Sequence, residues 1–467
     1  MMISLLTLKT DLLPHQREAY NKLKKIKIGA LYMEQGTGKT RTALEIISEK
    51  FNQNKINHIL WLCPCNAIRN IEKEMIKHVG TLENITVHGI ETLSSSIRAN
   101  VKLRRLVAEN DVYLVVDESN LVKNHKAKRT ENIIRLSEDC RYKMILNGTP
   151  ISRDETDLFS QWMILDWRIL GYKSFWSFAA NHIEWDDKIP GKVARTLNVD
   201  YLTRKIAPYT YQVKKEECLD LPRKAEYVYG YDMTYRQNEE YGIVADHLLF
   251  EVNELEPHTI YRLFSGLQNV IAGNYVWFDR DNKMMKKSMF KNPLDNPRIQ
   301  TLLGTIHYYE GKTIIFCKYT QEINDIVAVL NDEFGQGAAL PFNGEVRKKD
   351  RMLNLEKFEQ DARFLVANKM TAGYSLNLQF CNNIIFYNND WDFATRSQAE
   401  DRVHRIGQMR QVNIIDIVAN ESLDERILKN LMNKSSLVDD FKELIKEMKD
   451  KKDLKAIREW VDGKETA

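Results

Sequence analysis

The sequence predicts an α/β fold with two parallel-sheet lobes, a largely helical insertion between them and a helical extension at the C-terminus. Three observations carry this. Short β-rich runs alternate with helical patterns in two separate stretches, the mark of parallel sheets with helical crossovers. Between them, Ile151 to Asn292 breaks the alternation and is rich in aromatics. The length of 467 residues also exceeds the roughly 250–300 at which single cores stop growing.

In the first stretch, strands are expected at Gly29–Met33, Ile59–Cys63, Ile85–His88, Val112–Val116 and Lys143–Asn147. Helices are expected at Thr40–Phe51, Ala67–His78 and Lys128–Leu136. In the second, the strands are Thr313–Cys317, Ala338–Phe342, Phe364–Ala367, Ile384–Tyr387 and Val412–Val418. Its helices are Gln321–Asn331, Lys348–Phe358, Thr395–His404 and Leu423–Asn433. The middle, with Trp162, Trp167, Phe175, Trp176 and Trp185, reads as helices packed on the lobes, with a polar kink near Asp186–Gly191. Ser436–Trp460 reads as a charged amphipathic brace whose stripe is Phe441, Leu444, Ile445, Met448 and Ile457. The domains drawn are therefore 1–165 (first lobe), 166–292 (insertion), 293–435 (second lobe) and 436–467 (extension).

Composition narrows the function classes. Hydrophobic residues make up 43% and charged ones 28%, as in ordinary globular proteins. No apolar run approaches the ~20 residues of a membrane span. The apolar start at Met1–Leu6 is ended by Lys9 and Asp11 without a cleavage site, so no signal peptide is expected. Of six cysteines only Cys63 and Cys65 are close, and Cys63-Pro64-Cys65 lacks zinc-ligand spacing. Buried thiols in a reducing, intracellular compartment are the expectation. A net charge of +3 means that nucleic acid would be held by a local basic surface.

The chemistry of the first lobe starts at Gly36-Thr37-Gly38-Lys39-Thr40, after an apolar strand and at the opening of a helix. This is the context of a phosphate-binding loop: glycines let amides curl around phosphate oxygens, and Lys39 neutralises the β- and γ-phosphates. Thr40 supplies a hydroxyl to Mg²⁺. Met33 stands where the first glycine of the full pattern would be. Val115-Val116-Asp117-Glu118 then ends an apolar strand in two carboxylates. One can hold the metal (Asp117) and the other polarise the attacking water (Glu118). An Asp-Glu pair alone is common surface decoration; behind a Gly-Lys-Thr loop it is a nucleotide-hydrolysis signature. In the second lobe, Arg402 and Arg405 lie three apart, on one face of the expected helix. Two arginines on a helix are by themselves usually solvated, so their reading depends on the segment that contains them.

These motifs resemble those of the superfamily 2 helicase-like ATPases, in the Swi/Snf-type DNA translocase form. The likeness runs from about Leu12 to Leu431 and implies RecA-like lobes, ATP and Mg²⁺ as cofactors, and DNA as partner. Leu13-Pro14-His15-Gln16 resembles the entry motif, in which Gln16 reads the adenine. Leu62-Cys63-Pro64 resembles the motif whose following loop touches the DNA backbone, and Leu146-Asn147-Gly148-Thr149-Pro150 the one coupling nucleotide state to lobe movement. Asp117-Glu118-Ser119-Asn120 replaces the family's Asp-Glu-Ala-His, so Asn120 alters the coupling residue, and Lys123-Asn124 is a further Swi/Snf-like feature. Thr371 to Leu378, with Asn377, resembles the motif touching both DNA and nucleotide, with Ser375 in place of a glycine. Gln398 to Gln408, ending Arg405-Ile406-Gly407-Gln408, is the most specific segment, and Arg405 matches the arginine finger within it. Asp392-Phe393 replaces the usual Asn-Pro after Trp391.

The resemblance implies a DNA-stimulated ATPase that translocates on double-stranded or branched DNA as a monomeric motor. Branch migration, annealing or displacement of bound proteins would be its tasks, in the cytoplasm or nucleoid, or the host cytoplasm for a viral protein. Candidate phosphate contacts are Lys123, Lys126, Lys128 and Arg129, then Lys283, Lys286, Lys287 and Lys291. No chromatin-reading module is recognisable, so remodelling of nucleosomes is not the expected solitary task. The alternatives are a strand-separating helicase of the same superfamily, an RNA-dependent ATPase, and a non-catalytic DNA-binding scaffold.

Overall fold

The computed structural model describes residues 6–148, 156–185, 193–251, 257–279, 283–369, 376–391, 393–433, 437, 441 and 454–463. The chain divides into two compact units, Met1–Leu221 and Pro222–Ala467.

The first unit contains β1 (Ile28–Met33), β2 (His58–Cys63), β3 (Ile85–Gly89), β4 (Val112–Asp117), β5 (Tyr142–Asn147), β6 (Ile183–Trp185), β7 (Val193–Thr196) and β8 (Thr210–Val213). Six of these form one sheet in the order β3-β2-β4-β5-β1-β8, with every neighbouring pair parallel. Its strands are apolar on both faces because helices cover both, as parallel sheets require. In β2, Ile59, Trp61 and Cys63 enter a core shared with helices Pro14–Leu23, Lys39–Asn52 and Ile68–Val79. Leu60 and Leu62 enter the opposite core, with Ile97–Glu109, Lys128–Glu138 and Asp157–Leu170. The parallel arrangement brings the carboxyl ends of β1, β4 and β5 to one edge, where ligands of open α/β sheets bind.

The second unit contains β9 (Lys224–Tyr231), β10 (Asn274–Phe278), β11 (Met284–Ser288), β12 (Thr313–Cys317), β13 (Ala339–Phe342), β14 (Phe364–Asn368), β15 (Asn383–Phe386) and β16 (Val412–Ala419). Its parallel sheet runs β13-β14-β12-β15-β16-β9. β10 and β11 form a separate antiparallel hairpin.

Expected strands and helices lie within a residue or two of those observed over most of both sheets; helices Pro14–Leu23, Ile97–Glu109 and Pro297–Ile306 were not expected, and three further differences bear on the site. The middle segment is not only helical: besides helices such as Phe175–His182, Tyr235–Glu251 and Pro257–Ile271 it gives each sheet an edge strand, β8 and β9. Much of β9 is exposed, so it lacks the continuous apolar run that marks a buried parallel strand. The kink expected at Asp186–Gly191 lies outside the described residues. Second, the helix expected at Thr395–His404 is Phe393–Glu400. Residues 401–406 form turns, as the Arg402 carbonyl accepts from the Leu378 amide at 2.9 Å while Val403 is fully buried. Arg402 and Arg405 are therefore turn residues and do not share a helix face. Third, of the C-terminal stripe Phe441 is buried against Phe264 and Trp460, in the core reached by helix Leu454–Val461; Leu444, Ile445 and Met448 lie outside the described residues.

Candidate active site

The loop between β1 and helix Lys39–Asn52 turns through two left-handed glycines, Gly36 (φ 83°) and Gly38 (φ 87°). A side chain at either would be strained, which leaves the backbone free to wrap an anion at a helix N-terminus. Lys39 closes the loop on itself, donating from Nζ to the Met33 carbonyl at 2.9 Å. Gln16 packs under it: its Oε1 accepts from the Leu13 amide at 3.0 Å and its Nε2 donates to the Thr37 carbonyl at 3.0 Å. His15 Nε2 lies 2.8 Å from the same carbonyl. A Cβ at Gly38 would lie 2.1 Å from Gln16 Nε2, so entry motif and loop are fitted to one another. Gly148, after β5, approaches from the other side; a Cβ there would lie 3.3 Å from Gln35 Cγ and 3.8 Å from Lys39 Nζ. Thr149 lies outside the described residues.

β4 delivers the two carboxylates into different surroundings. Asp117 is buried, and its Oδ1 accepts from the Glu118 amide at 2.9 Å. Burial, and then the Glu118 charge, push its carboxyl up to about 7, while Lys39 pulls it down. Lys39 thus acts on Asp117 electrostatically across the loop. Glu118 is half-buried and takes left-handed backbone angles, φ 51° and ψ 56°. A β-carbon makes that conformation costly, by about 1 kcal/mol or more. The strained turn at Glu118 thus joins a buried carboxylate to a half-buried one. Behind it, Ser119 donates to Gln161 Oε1 at 2.6 Å, fixing the turn to helix Asp157–Leu170. Asn120 Oδ1 is buried and has no hydrogen-bond partner among the described residues.

The donor set suits Mg²⁺ with a nucleotide. Asp117 is a buried carboxylate on which the opposing charge of Lys39 acts. Thr40 stands in the first turn of the same loop helix. Among the described residues no three His, Cys, Asp or Glu side chains cluster as a protein-built metal cage. Mg²⁺ takes one or two protein groups and completes its shell with phosphate and water, so Asp117 and Thr40 can hold it and it would neutralise developing phosphate charge.

Two expected DNA contacts of this unit are placed as follows. Pro64 is buried, its carbonyl accepting from Ala67, and the neighbouring Asn66 is exposed. Lys123 Nζ lies 3.5 Å from Asp157 Oδ2.

In the second unit Arg405 donates to Asn377, joining the two motifs that the sequence singles out. Gln408 fixes the turn that carries Arg405: its Nε2 donates to the carbonyls of Cys381 (2.7 Å) and Val403 (3.2 Å), and its Oε1 accepts from the Arg410 amide at 2.9 Å. Gln398 is half-buried on helix Phe393–Glu400. That helix is tied to the sheet by Arg396, which grips Asp416 through Nη1 (2.6 Å) and Nη2 (2.8 Å) and lies 4.2 Å from the Phe386 ring. Lys318 completes an adjoining cluster, donating to Asp390 at 2.8 Å and lying 4.0 Å from the Trp391 ring. Thr371 to Ser375 lie outside the described residues.

Sequence reading missed Arg396, Asp416 and Lys369. Asp416 had a signal: it is the one charge in the apolar run Val412–Ala419, and a buried carboxylate must find a partner. Lys369 is fully within the unit, and burial lowers its ammonium to about 7, against the pull of Asp390.

Three family models match the chain: SNF2-related domain over residues 84–271, Helicase conserved C-terminal domain over 297–407, and Type III restriction enzyme, res subunit, over 9–152. Similar curated proteins include the SWI/SNF chromatin-remodeling complex subunit snf22 of Schizosaccharomyces pombe, 24% identical over 88% of this chain and 26% of its own length. ATP-dependent DNA helicase DDM1 of Arabidopsis thaliana is 23% identical over 88% of this chain and 58% of its own. The chain thus spans about a quarter of the length of the first such relatives. A solved structure, the Sulfolobus solfataricus SWI2/SNF2 ATPase core in complex with dsDNA, aligns over 99% of this chain and 97% of that one, at 21% identity and a TM-score of 0.41.

Proposed function

Because the chain belongs to the Swi/Snf-type superfamily 2 ATPases, we propose that it is an ATP-driven motor that moves along double-stranded DNA. The observation that carries this reading is the convergence of Gln16, Gly38, Lys39, Asp117 and Gly148 on one glycine-turned loop at a helix N-terminus. Five positions from four separate motifs meet there, an arrangement that a decayed, non-catalytic scaffold has no reason to keep.

In this reading the loop amides and Lys39 bind the β- and γ-phosphates, and Asp117 and Thr40 hold Mg²⁺. Gln16 reads the adenine from its position against Thr37. Glu118 accepts a proton from the attacking water. Arg405 and Arg402, the arginines of the Gln398-to-Gln408 segment, would stabilise the charge that spreads over the γ-phosphoryl oxygens. Asn377, Gln398, Gly148, Thr149 and the loop after Pro64 couple nucleotide state to DNA. Phosphate contacts, Lys123 among them, make DNA binding salt-sensitive and independent of sequence. No described helix is long and apolar enough to cross a membrane.

The test is ATP turnover without nucleic acid and with duplex DNA, single-stranded DNA or RNA, paired with triplex displacement and duplex unwinding. Duplex-stimulated turnover with triplex displacement and no unwinding is the expected result, and Lys39→Ala abolishes both activities. Stimulation by single strands with true unwinding would make the chain a strand-separating helicase instead. Turnover indifferent to Lys39 would end the motor reading.

A further inference from the structure

The hairpin of β10 and β11 lies between the family matches, one ending at Ile271 and the next starting at Pro297. Its five register pairs make a ribbon about 17 Å long at the usual rise per residue. It is anchored firmly: the Met289 amide donates to the Gly273 carbonyl at 2.8 Å, and the Val276 amide to Glu240 Oε1 at 3.1 Å.

Strand alternation sorts its side chains onto two faces. Val276, Phe278 and Met284 pack on the core of the second unit. Lys286 shares their parity and is engaged inward, donating to Asn269 Oδ1 at 3.0 Å and lying 4.4 Å from the Tyr319 ring. The opposite face carries Trp277, 46% exposed, across from Met285, 39% exposed, and Tyr275 across from Lys287. Arg236, exposed on the neighbouring helix, lies 4.7 Å from the Tyr275 ring. Lys283 has the same parity; among the described residues of the hairpin, the acidic one on this face, Asp279, accepts the Lys283 amide at 2.9 Å. An exposed indole thus shares a strand face with Lys283 and Lys287, and Arg236 flanks that face from the neighbouring helix.

We propose that this face is a stacking platform for unpaired bases, binding the single-stranded arm of branched DNA next to the duplex on which the motor acts. The inference rests on the DNA-motor reading and supplies its substrate class. Paired bases inside a duplex present no free ring face to Trp277, whereas a splayed base does, and stacking of this kind is indifferent to sequence. Arg236, Lys283 and Lys287 match the backbone charge that accompanies such a strand.

The experiment compares binding of a blunt duplex and of a fork with single-stranded arms, by wild type, Trp277→Ala, Trp277→Phe and Lys287→Glu in the full chain. The readout is the ratio of the two affinities within each variant, so partial misfolding, which weakens both, does not imitate the result. A 2-aminopurine in the arm beside the junction reports stacking in the wild type directly. Expected are tighter fork binding by the wild type, and a drop in the ratio of about tenfold in Trp277→Ala. Trp277→Phe should retain most of the ratio, Lys287→Glu should reduce it, and 2-aminopurine emission should be quenched on binding. A ratio unchanged in Trp277→Ala, or no quenching, overturns the platform and leaves the duplex motor standing. Trp277-dependent fork binding without duplex-stimulated turnover overturns the motor reading alone. A wild-type chain that binds neither DNA overturns both.

Discussion

Glu118 and Asp117 are neighbours with different burial, and the backbone turns between them. The left-handed turn at Glu118 leaves Asp117 inside the sheet edge and places Glu118 at the rim. Glu118→Gln keeps shape and strain but cannot accept a proton. It should bind ATP normally and hydrolyse it at least about 10²-fold more slowly, within the usual range for a general base; single-turnover kinetics would show this, and normal turnover would remove Glu118 from the role. Lys369 gives a second test at this scale, of stability. Its folded pKa, about 7, lies below its ordinary 10.5 because burial disfavours the charge. Between those values the unfolded chain holds the proton and the folded chain does not, so this group makes stability rise with pH across the window. Below about pH 7 both states are protonated and the burial cost is fully present. Lys369→Met should therefore stabilise the protein by about 1 kcal/mol or more at pH 6–7, with the advantage shrinking towards pH 10. Denaturant melts at several pH values measure it; a constant difference would mean the ammonium is already compensated in the folded state.

At the scale of elements, helix Phe393–Glu400 is held to β16 by one buried pair. Asp416 is 1% exposed and takes both guanidinium nitrogens of Arg396, with Asn389 donating to it at 2.6 Å. Arg396→Met leaves that carboxylate without its charge partner and should cost about 3–5 kcal/mol. The double variant Arg396→Met, Asp416→Leu removes both charges and should recover most of the loss. Chemical denaturation of the two variants decides; equal losses would show that packing rather than charge holds the helix.

At the scale of the whole molecule, the two sheets carry different parts of the chemistry. The first unit holds the phosphate loop, Asp117 and Glu118; the second holds Arg405 on a turn braced by Gln408 and Asn377. If Arg405 is the arginine of the γ-phosphate, Arg405→Ala should spare ATP binding to the first unit and cut DNA-stimulated turnover by at least about 10²-fold, a floor below the usual finger range. Nucleotide binding by fluorescence, with turnover on duplex DNA, separates the two effects. An unchanged rate would direct attention to another arginine of the second unit.

The sheets and the phosphate loop were legible in the sequence because both are local: strand apolarity, the Gly-Lys-Thr turn and the Asp-Glu strand end are each written within a few consecutive residues. Trp277 was passed over because a five-residue strand with aromatics at neighbouring positions, Trp277 and Phe278, does not say which of them faces core and which solvent. The end of the 393–400 helix was not legible either. It depends on the Arg402 carbonyl meeting the Leu378 amide and on Val403 joining a core assembled from residues as distant as Ile314. The same holds for β8 and β9, whose half-exposed sequences carry no strong period and become strands by completing the edges of sheets already formed. The sequence by itself determined the α/β class, the order of the motifs and the identities of the phosphate, metal and water-activating groups. Only the tertiary structure decided their environments: that Asp117 is dry and Glu118 is not, that Arg405 leans on Asn377, and that Asp416 and Lys369 are buried. Burial and long-range pairing set those properties, and both belong to the packed chain rather than to any short run of it.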